Sequence, residues 1–255
     1  MTRIAQLIAL LALPIALGAQ AVTIPPAGGG GLEPGSSASY LLQPVNYLTV
    51  QGANLQTSVT SAAFTSTGGN LLVAVGCAFG NSIGAGPFSD SKSNTWSIAI
   101  ASFGGTKGWC AMGYVAGLPN AGASHTVTLT VSPADYIVLG VIEVPGITTS
   151  SPLNATDADS ASGTTHTTGP IASGGTYPEI HIAAGALSAA AEATPTITTQ
   201  FLFPVARLPA SSTTEGIAFG FRVVPISTST TFTYTTSNAQ FETALIAGFT
   251  SATGG

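Results

Sequence analysis

Apolar residues recur at every second position from Tyr47 onward, in short runs separated by turn residues. Residues 55–64 alternate loosely, and Leu71-Leu-Val-Ala-Val-Gly-Cys-Ala-Phe79 is a continuous apolar run that ends at a glycine. Period-two alternation is the mark of a strand with one face buried, and a short continuous apolar run marks a strand buried on both faces. Further strands are expected over 95–102, 107–115, 124–131, 136–144, 179–187, 196–203, 216–224, 230–235 and 241–250. Thr67-Gly-Gly-Asn70, Leu118-Pro-Asn120, Ser132-Pro133, Ser173-Gly-Gly175 and Val224-Pro225 supply the breaks. About a dozen short strands with this punctuation predict an all-β protein, a two-sheet antiparallel jelly-roll sandwich. Only 183–193 carries helix propensity, and it reads equally as a strand end followed by a turn. No period of 20 to 50 residues is visible, which argues against a solenoid.

The ends of the chain read differently. Arg3 precedes the apolar run IAQLIALLALPIAL, and Ala19-Gln20-Ala21 has the small-x-small pattern of a cleavage site. The run is short for a membrane span and contains Pro14, so residues 1–21 are expected to be a cleaved signal peptide. Residues 22–44 hold Pro-Pro, four consecutive glycines and a serine cluster, the composition of a flexible arm. Residues 45–252 then form one β-sandwich domain. No later stretch is apolar and long enough to cross a bilayer.

Charge is scarce, with 5 Lys+Arg and 10 Asp+Glu in 255 residues. Without Arg3 the balance is ten acidic residues against four basic, a formal −6. Nucleic acid and anionic lipid call for basic patches, so neither is an expected partner. The two cysteines, Cys77 and Cys110, meet an oxidising environment after export. They are expected either to form a disulfide or to remain as buried thiols.

Catalytic constellations are thin. Gly80-Asn-Ser-Ile-Gly84 matches G-x-S-x-G, with Asp135 or Asp157 as acid and His166 or His181 as base. The residues that follow are turn-like rather than helical, which removes the context of a nucleophile elbow. The acidic residues are scattered, and no strand presents the paired carboxylates a glycosidase requires. Glu143, set in an apolar strand, has three roles open to it: an acid of shifted pKa, a residue facing solvent, or a partner bonding a neighbouring loop. Asp157-Ala-Asp159 begins like a calcium loop but lacks its closing Glu and places Gly one residue late, so a solvated loop is expected. His125, His166 and His181 have no second histidine at ligand spacing and read as surface or core residues. No metal or cofactor is expected.

Several motifs, in order, carry a resemblance. They are Gly69-Asn-Leu-Leu-Val-Ala-Val75, Ser89-Asp-Ser-Lys-Ser-Asn-Thr-Trp96 and Ala123-Ser-His-Thr-Val-Thr-Leu-Thr130. Val141-Ile-Glu-Val-Pro-Gly-Ile147 with Ser151-Pro-Leu-Asn154, and the closing strands Ala218-Phe-Gly-Phe-Arg-Val-Val224 and Ala244-Leu-Ile-Ala-Gly-Phe249, complete the set. Together they resemble secreted bacterial β-sandwich modules of the concanavalin-A-like lectin type, with Pro145 where serine is commoner. The resemblance implies a jelly-roll fold and an extracellular setting, and it transfers no catalytic residue. Within Ser89–Trp96 the short polar side chains of Asp90 and Asn94 suit a turn that delivers Trp96 to the core.

Two functions from different classes follow. One is a surface or glycan-binding (adhesion) module, with Trp109, Tyr114 and Tyr136 as rings for sugar faces. By alternation Trp109 and Tyr114 point to opposite faces of their strand. The other is a self-associating structural subunit of the cell exterior that uses the arm at 22–44, since sparse charge leaves copies little mutual repulsion. A secreted hydrolase ranks third.

Overall fold

A computed structural model describes residues 42, 44–51, 55–80, 83–103, 108–174, 177–187, 196–197, 201–208 and 216–252. The proposed signal segment, most of the arm and the serine of the G-x-S-x-G match lie outside the described residues. Eighteen strands are found among the described residues. The first ten are β1 (Asn46–Gln51), β2 (Gln56–Thr60), β3 (Phe64–Ser66), β4 (Leu71–Ala78), β5 (Phe88–Asp90), β6 (Ser97–Phe103), β7 (Trp109–Val115), β8 (Gly122–His125), β9 (Val127–Asp135) and β10 (Ile137–Val144). The other eight are β11 (Leu153–Thr167), β12 (Ile171–Ala172), β13 (Glu179–Leu187), β14 (Thr196–Ile197), β15 (Leu202–Leu208), β16 (Gly216–Val224), β17 (Ser229–Thr230) and β18 (Thr233–Thr250).

The molecule is all-β and antiparallel, as the alternation predicts. Two main sheets carry it, ordered β1-β10-β4-β7-β6 and β11-β18-β13-β16-β15, with β14 added on β18. Smaller ladders, β2-β9-β5 with β3-β8 and β12-β17, lie outside the main sheets. The strand order does not by itself make a jelly roll. One expectation is corrected: residues 157–159, read as a solvated loop, lie within the long edge strand β11. The expected turn at 89–96 is present, leading out of β5. In the ambiguous segment, 183–187 is strand.

The sheet orders repeat one pattern. Reading β1, β4, β6, β7 and β10 as β11, β13, β15, β16 and β18 superposes one order on the other. Every strand ladder described lies wholly within 46–144 or wholly within 153–250. The correspondence reaches single residues. Gly76 pairs with Ala111 and Gly185 with Ala218, while Ala74 pairs with Gly113 and Ala183 with Gly220. Ser61 and Val127 exchange a backbone bond (2.8 Å) and a bond from Val127 N–H to Ser61 Oγ (3.0 Å). Thr168 and Phe232 make the same two bonds, both at 3.0 Å. Exposed hydroxyl pairs follow suit, Thr60–Thr128 at 2.8 Å and Thr167–Thr233 at 3.0 Å.

Burial explains the continuous apolar run. On β4, Leu71, Val73, Val75 and Cys77 face a core between the two main sheets, and Leu72, Ala74 and Ala78 face a second core under β2-β9-β5. β13 repeats this with Ile180, Ile182, Ala184 and Ala186 inward, and Ala183 and Leu187 facing a third core around Phe232 and Tyr234. The four-layer arrangement thus leaves the central strands no solvent face, and the alternation disappears from their sequence. Gly76 and Gly185 mark equivalent spots where an outer side chain, Leu129 or Tyr234, presses on the sheet and leaves no room for a Cβ.

Candidate functional site

Three aromatic residues stand at one end of the first sheet, and two of their rings touch. Phe79 follows β4, Trp109 opens β7 and Tyr136 precedes β10, so they fall on three neighbouring strands. Phe79 N–H donates to the Tyr136 carbonyl (3.1 Å), and Gly108 N–H donates to the Phe79 carbonyl (2.7 Å). The Phe79 and Tyr136 rings meet edge to face, with centroids 6.1 Å apart. All three side chains are half-buried. Asp135 fixes the turn beneath them, accepting from Gly80 N–H and Tyr136 N–H, both at 2.8 Å. Trp109 packs towards the outer core and Tyr114 towards the inner one, as alternation requires. Tyr114 lies edge-on to the buried Phe249 at 5.5 Å, between the sheets and away from Trp109 and Tyr136. Phe79 has no place in the sequence-based set. Its only signal there is its position at the end of an apolar run.

The buried ionisable groups are committed elsewhere. Glu143 is fully buried, and it accepts from Asn46 Nδ2 (2.5 Å), Thr67 N–H (2.8 Å) and Asn70 Nδ2 (2.7 Å). It clamps a loop, one of the three roles open to it from sequence, and its burial removes the solvent-facing one. Glu179 is its counterpart in the second half and accepts from Gly174 N–H (2.9 Å) and Asn154 Nδ2 (3.3 Å). Burial alone would raise the Glu179 carboxyl. Hydrogen bonds from His181, the Gly174 N–H and Asn154 outweigh it and hold the group below its ordinary range.

Asp90 caps its own turn, accepting from Lys92 N–H (2.8 Å), Asn94 N–H (3.2 Å) and the Trp96 indole (2.9 Å). Trp96 tilts on Phe88 with centroids 5.6 Å apart, so this motif anchors the outer core. Asp157 and Asp159, expected in a loop, instead turn their carboxylates to Gly169 N–H and Thr167 N–H. No group of three His, Cys, Asp or Glu able to hold a metal occurs among the described residues.

The protein's three histidines are all fully buried, and each has a carboxylate beside it. The pairs are His125–Asp90 at 3.6 Å, His166–Glu242 at 3.5 Å and His181–Glu179 at 3.2 Å. Spacing arguments aimed at metal ligands miss these pairs, because tertiary packing assembles two of them. Ser66, His125 and Asp90 come together in the order of a triad, with Ser66 Oγ 2.7 Å from His125 Nδ1. Chemistry does not follow from it. Ser66 is buried, its oxygen also accepts from Gly122 N–H (3.1 Å), and Asp90 is saturated by its own turn. Burial lowers the His125 pKa, with Asp90 pulling the other way.

Cys77 and Cys110 are directly opposite on β4 and β7 and form a disulfide. A shallow depression of about 340 Å³ lies where 147–149 meets the end of β18, lined by Thr148, Thr149, Tyr177 and Ser251 among others. It holds no carboxylate or imidazole. No family model matches the chain, and no curated protein or solved structure is similar to it.

Proposed function

We propose that the protein is an exported, non-catalytic β-sandwich that acts as a binding module for glycans or another cell-surface polymer. The supporting observation is that Phe79, Trp109 and Tyr136 are half-buried rings on adjacent strand ends, with Phe79 and Tyr136 edge to face. Rings held this way offer flat apolar faces for sugar C–H surfaces, while nearby amides and hydroxyls serve the sugar hydroxyls. The commitment of the buried acids and histidines to turns, edges and loops favours binding over catalysis. Export is part of this reading. It rests on the N-terminal pattern and on the disulfide, which persists in oxidising compartments. N-terminal sequencing of the exported protein, beginning at Val22, tests that component.

A polysaccharide pull-down or glycan array tests the binding. Trp109→Ala and Tyr136→Ala should each lower retention at least tenfold, while Tyr114→Phe leaves it unchanged. Absence of binding by the native protein, or equal binding by all three variants, would remove the proposal.

One observation favours a second reading, an assembling structural subunit that uses the arm at 22–44. The long edge strand β11 has its two aspartates drawn away to Gly169 and Thr167. Edge strands usually resist pairing through exposed charge. Light scattering decides it, because a strictly monomeric species at high concentration eliminates assembly.

A further inference from the structure

We infer that the chain is an internal face-to-face dimer. Residues 46–144 and 153–250 are duplicated modules, and the core between the main sheets is a protein–protein interface whose fitting partner is a module of the same fold. This goes beyond the binding proposal and does not depend on it.

The first support is that ladder hydrogen bonds, where described, never cross between the halves. What joins them is apolar side-chain packing, a few hydroxyl contacts such as Ser102–Ser160 (2.8 Å), and the linker 145–152, which hydrogen-bonds to the end of β18. The second is the way the sheets face each other. β1 lies against β15 and β6 against β11, β10 against β16 and β7 against β18, with β4 over β13. Exchanging the halves converts these five contacts into themselves, as a two-fold axis between β4 and β13 would; β6 against β18 and β7 against β13 have no counterpart of like extent, so the symmetry is approximate. Such an interface is isologous, with the same patch on both sides.

The interface also carries a code for which half meets which. Across the first sheet one register row is Gly140–Val75–Met112, and the equivalent row of the second is Leu245–Ala184–Phe219. Phe219 fills the space above Gly140, where a Cβ would stand 2.6 Å from its ring. The two-fold relation sets Leu245 opposite Met112 in the same core. Large on small is thus matched by medium on medium. Pairing two first halves would set Met112 over Gly140 and leave voids, and pairing two second halves would press Phe219 on Leu245. Voids and overpacking both destabilise, so the sizes favour the pairing of unlike halves.

The test uses the full chain with a protease site inserted between the exposed residues Thr149 and Ser150. After cleavage, native mass spectrometry should find one species holding both fragments in equal number, with strand circular dichroism retained. Separation, unfolding or like-with-like pairs would overturn the inference. In the uncut chain, Gly140→Leu alone should lower the unfolding midpoint by about 5–10 °C. Adding Phe219→Met recreates the Leu–Met pairing of the other side and should restore at least half of that loss. If Gly140→Leu yields no soluble protein, Gly140→Ala takes its place, with the same rescue expected. A double variant no more stable than the single would overturn the two-fold reading of the packing.

Discussion

The two halves share strand order, register and turn-locking hydrogen bonds, yet they fill equivalent positions with different chemistry. The buried carboxylate shows this best. In both halves it accepts from an asparagine on the first strand, Asn46 or Asn154, and from a loop N–H, Thr67 or Gly174. In the first half the carboxylate comes from β10 as Glu143, whereas in the second it comes from the neighbouring β13 as Glu179. Register places Asn70 where the second half has Glu179, and Gly248 where the first half has Glu143. Gly248 leaves the room this needs, since a Cβ there would lie 2.9 Å from Glu179 Oε2 and 3.0 Å from His181 Nε2. The fold thus conserves the place of a charge and not its strand. Elsewhere the second half is the more polar. His166, His181 and Glu242 occupy positions equivalent to Val59, Leu72 and Ile137, and only the first half has a disulfide.

The largest effect that would sharpen this contrast is removal of the disulfide. Cys77 and Cys110 are 33 residues apart, so the bond restricts the unfolded chain by about 3–4 kcal/mol. Cys77→Ala with Cys110→Ile copies Ala186 and Ile217 of the second half, and the expected loss in urea unfolding falls somewhat short of that range. Next comes the carboxylate. Glu143→Leu strands the buried Asn70 amide and takes an acceptor from Thr67 N–H, while Asn46 keeps the Thr65 carbonyl, and it should destabilise by about 2 kcal/mol. Asn70→Glu together with Glu143→Gly, which copies the second half, should recover part of it.

The glycines under the outer layers separate the halves more gently. Gly185→Ala meets the ring of Tyr234, pinned by its hydroxyl bond to the Ala186 carbonyl at 2.9 Å, and should lose about 2 kcal/mol. Gly76→Ala meets only the tip of Leu129 and should lose less. Equal losses would break the comparison.

Acid should act on His125 and Glu179 in different windows. His125 has a lowered pKa when folded, so its contribution is complete above its ordinary value of 6.5 and is lost as pH falls from there through the folded value. Glu179 is also lowered, and its contribution disappears only below the ordinary 4.5. Hydrogen exchange should therefore show the surroundings of His125 loosening at higher pH than the loop held by Glu179, by less than about 1.4 kcal/mol per pH unit for each group. His125→Thr copies Thr230 of the second half and should abolish the earlier step. The smallest effects are expected at Thr60→Ala and Thr167→Ala, which break equivalent exposed hydroxyl pairs. Each should cost about 0.5 kcal/mol in thermal unfolding.

Residues 71–79 were legible as a central strand, because a strand covered on both faces has no polar alternation to display, but the outer layers over the two main sheets were not. The turn from Asp90 to Trp96 was equally readable, since its hydrogen bonds are local. β11 was not. Its Asp, Ser and Thr residues read as a loop because its partner, β18, supplies the apolar face from far along the chain. The ring cluster was half legible: Trp109 and Tyr136 were singled out for their chemistry, while Tyr114, chosen by the same logic, faces inward against Phe249. The repeat escaped because Ala111-x-Gly113 and Ala218-x-Gly220 are too short to stand out in a chain rich in both residues.

What the sequence determined is local: where strands run and where they break. Those properties follow from side-chain period and turn chemistry, which act over a few residues. Only the tertiary structure decided which acid meets which loop, that every histidine finds a carboxylate, and that the two halves face each other about a common axis. Apart from the local pairing of His181 with Glu179, these depend on contacts between residues tens of positions apart, where register and volume, not propensity, select the neighbour.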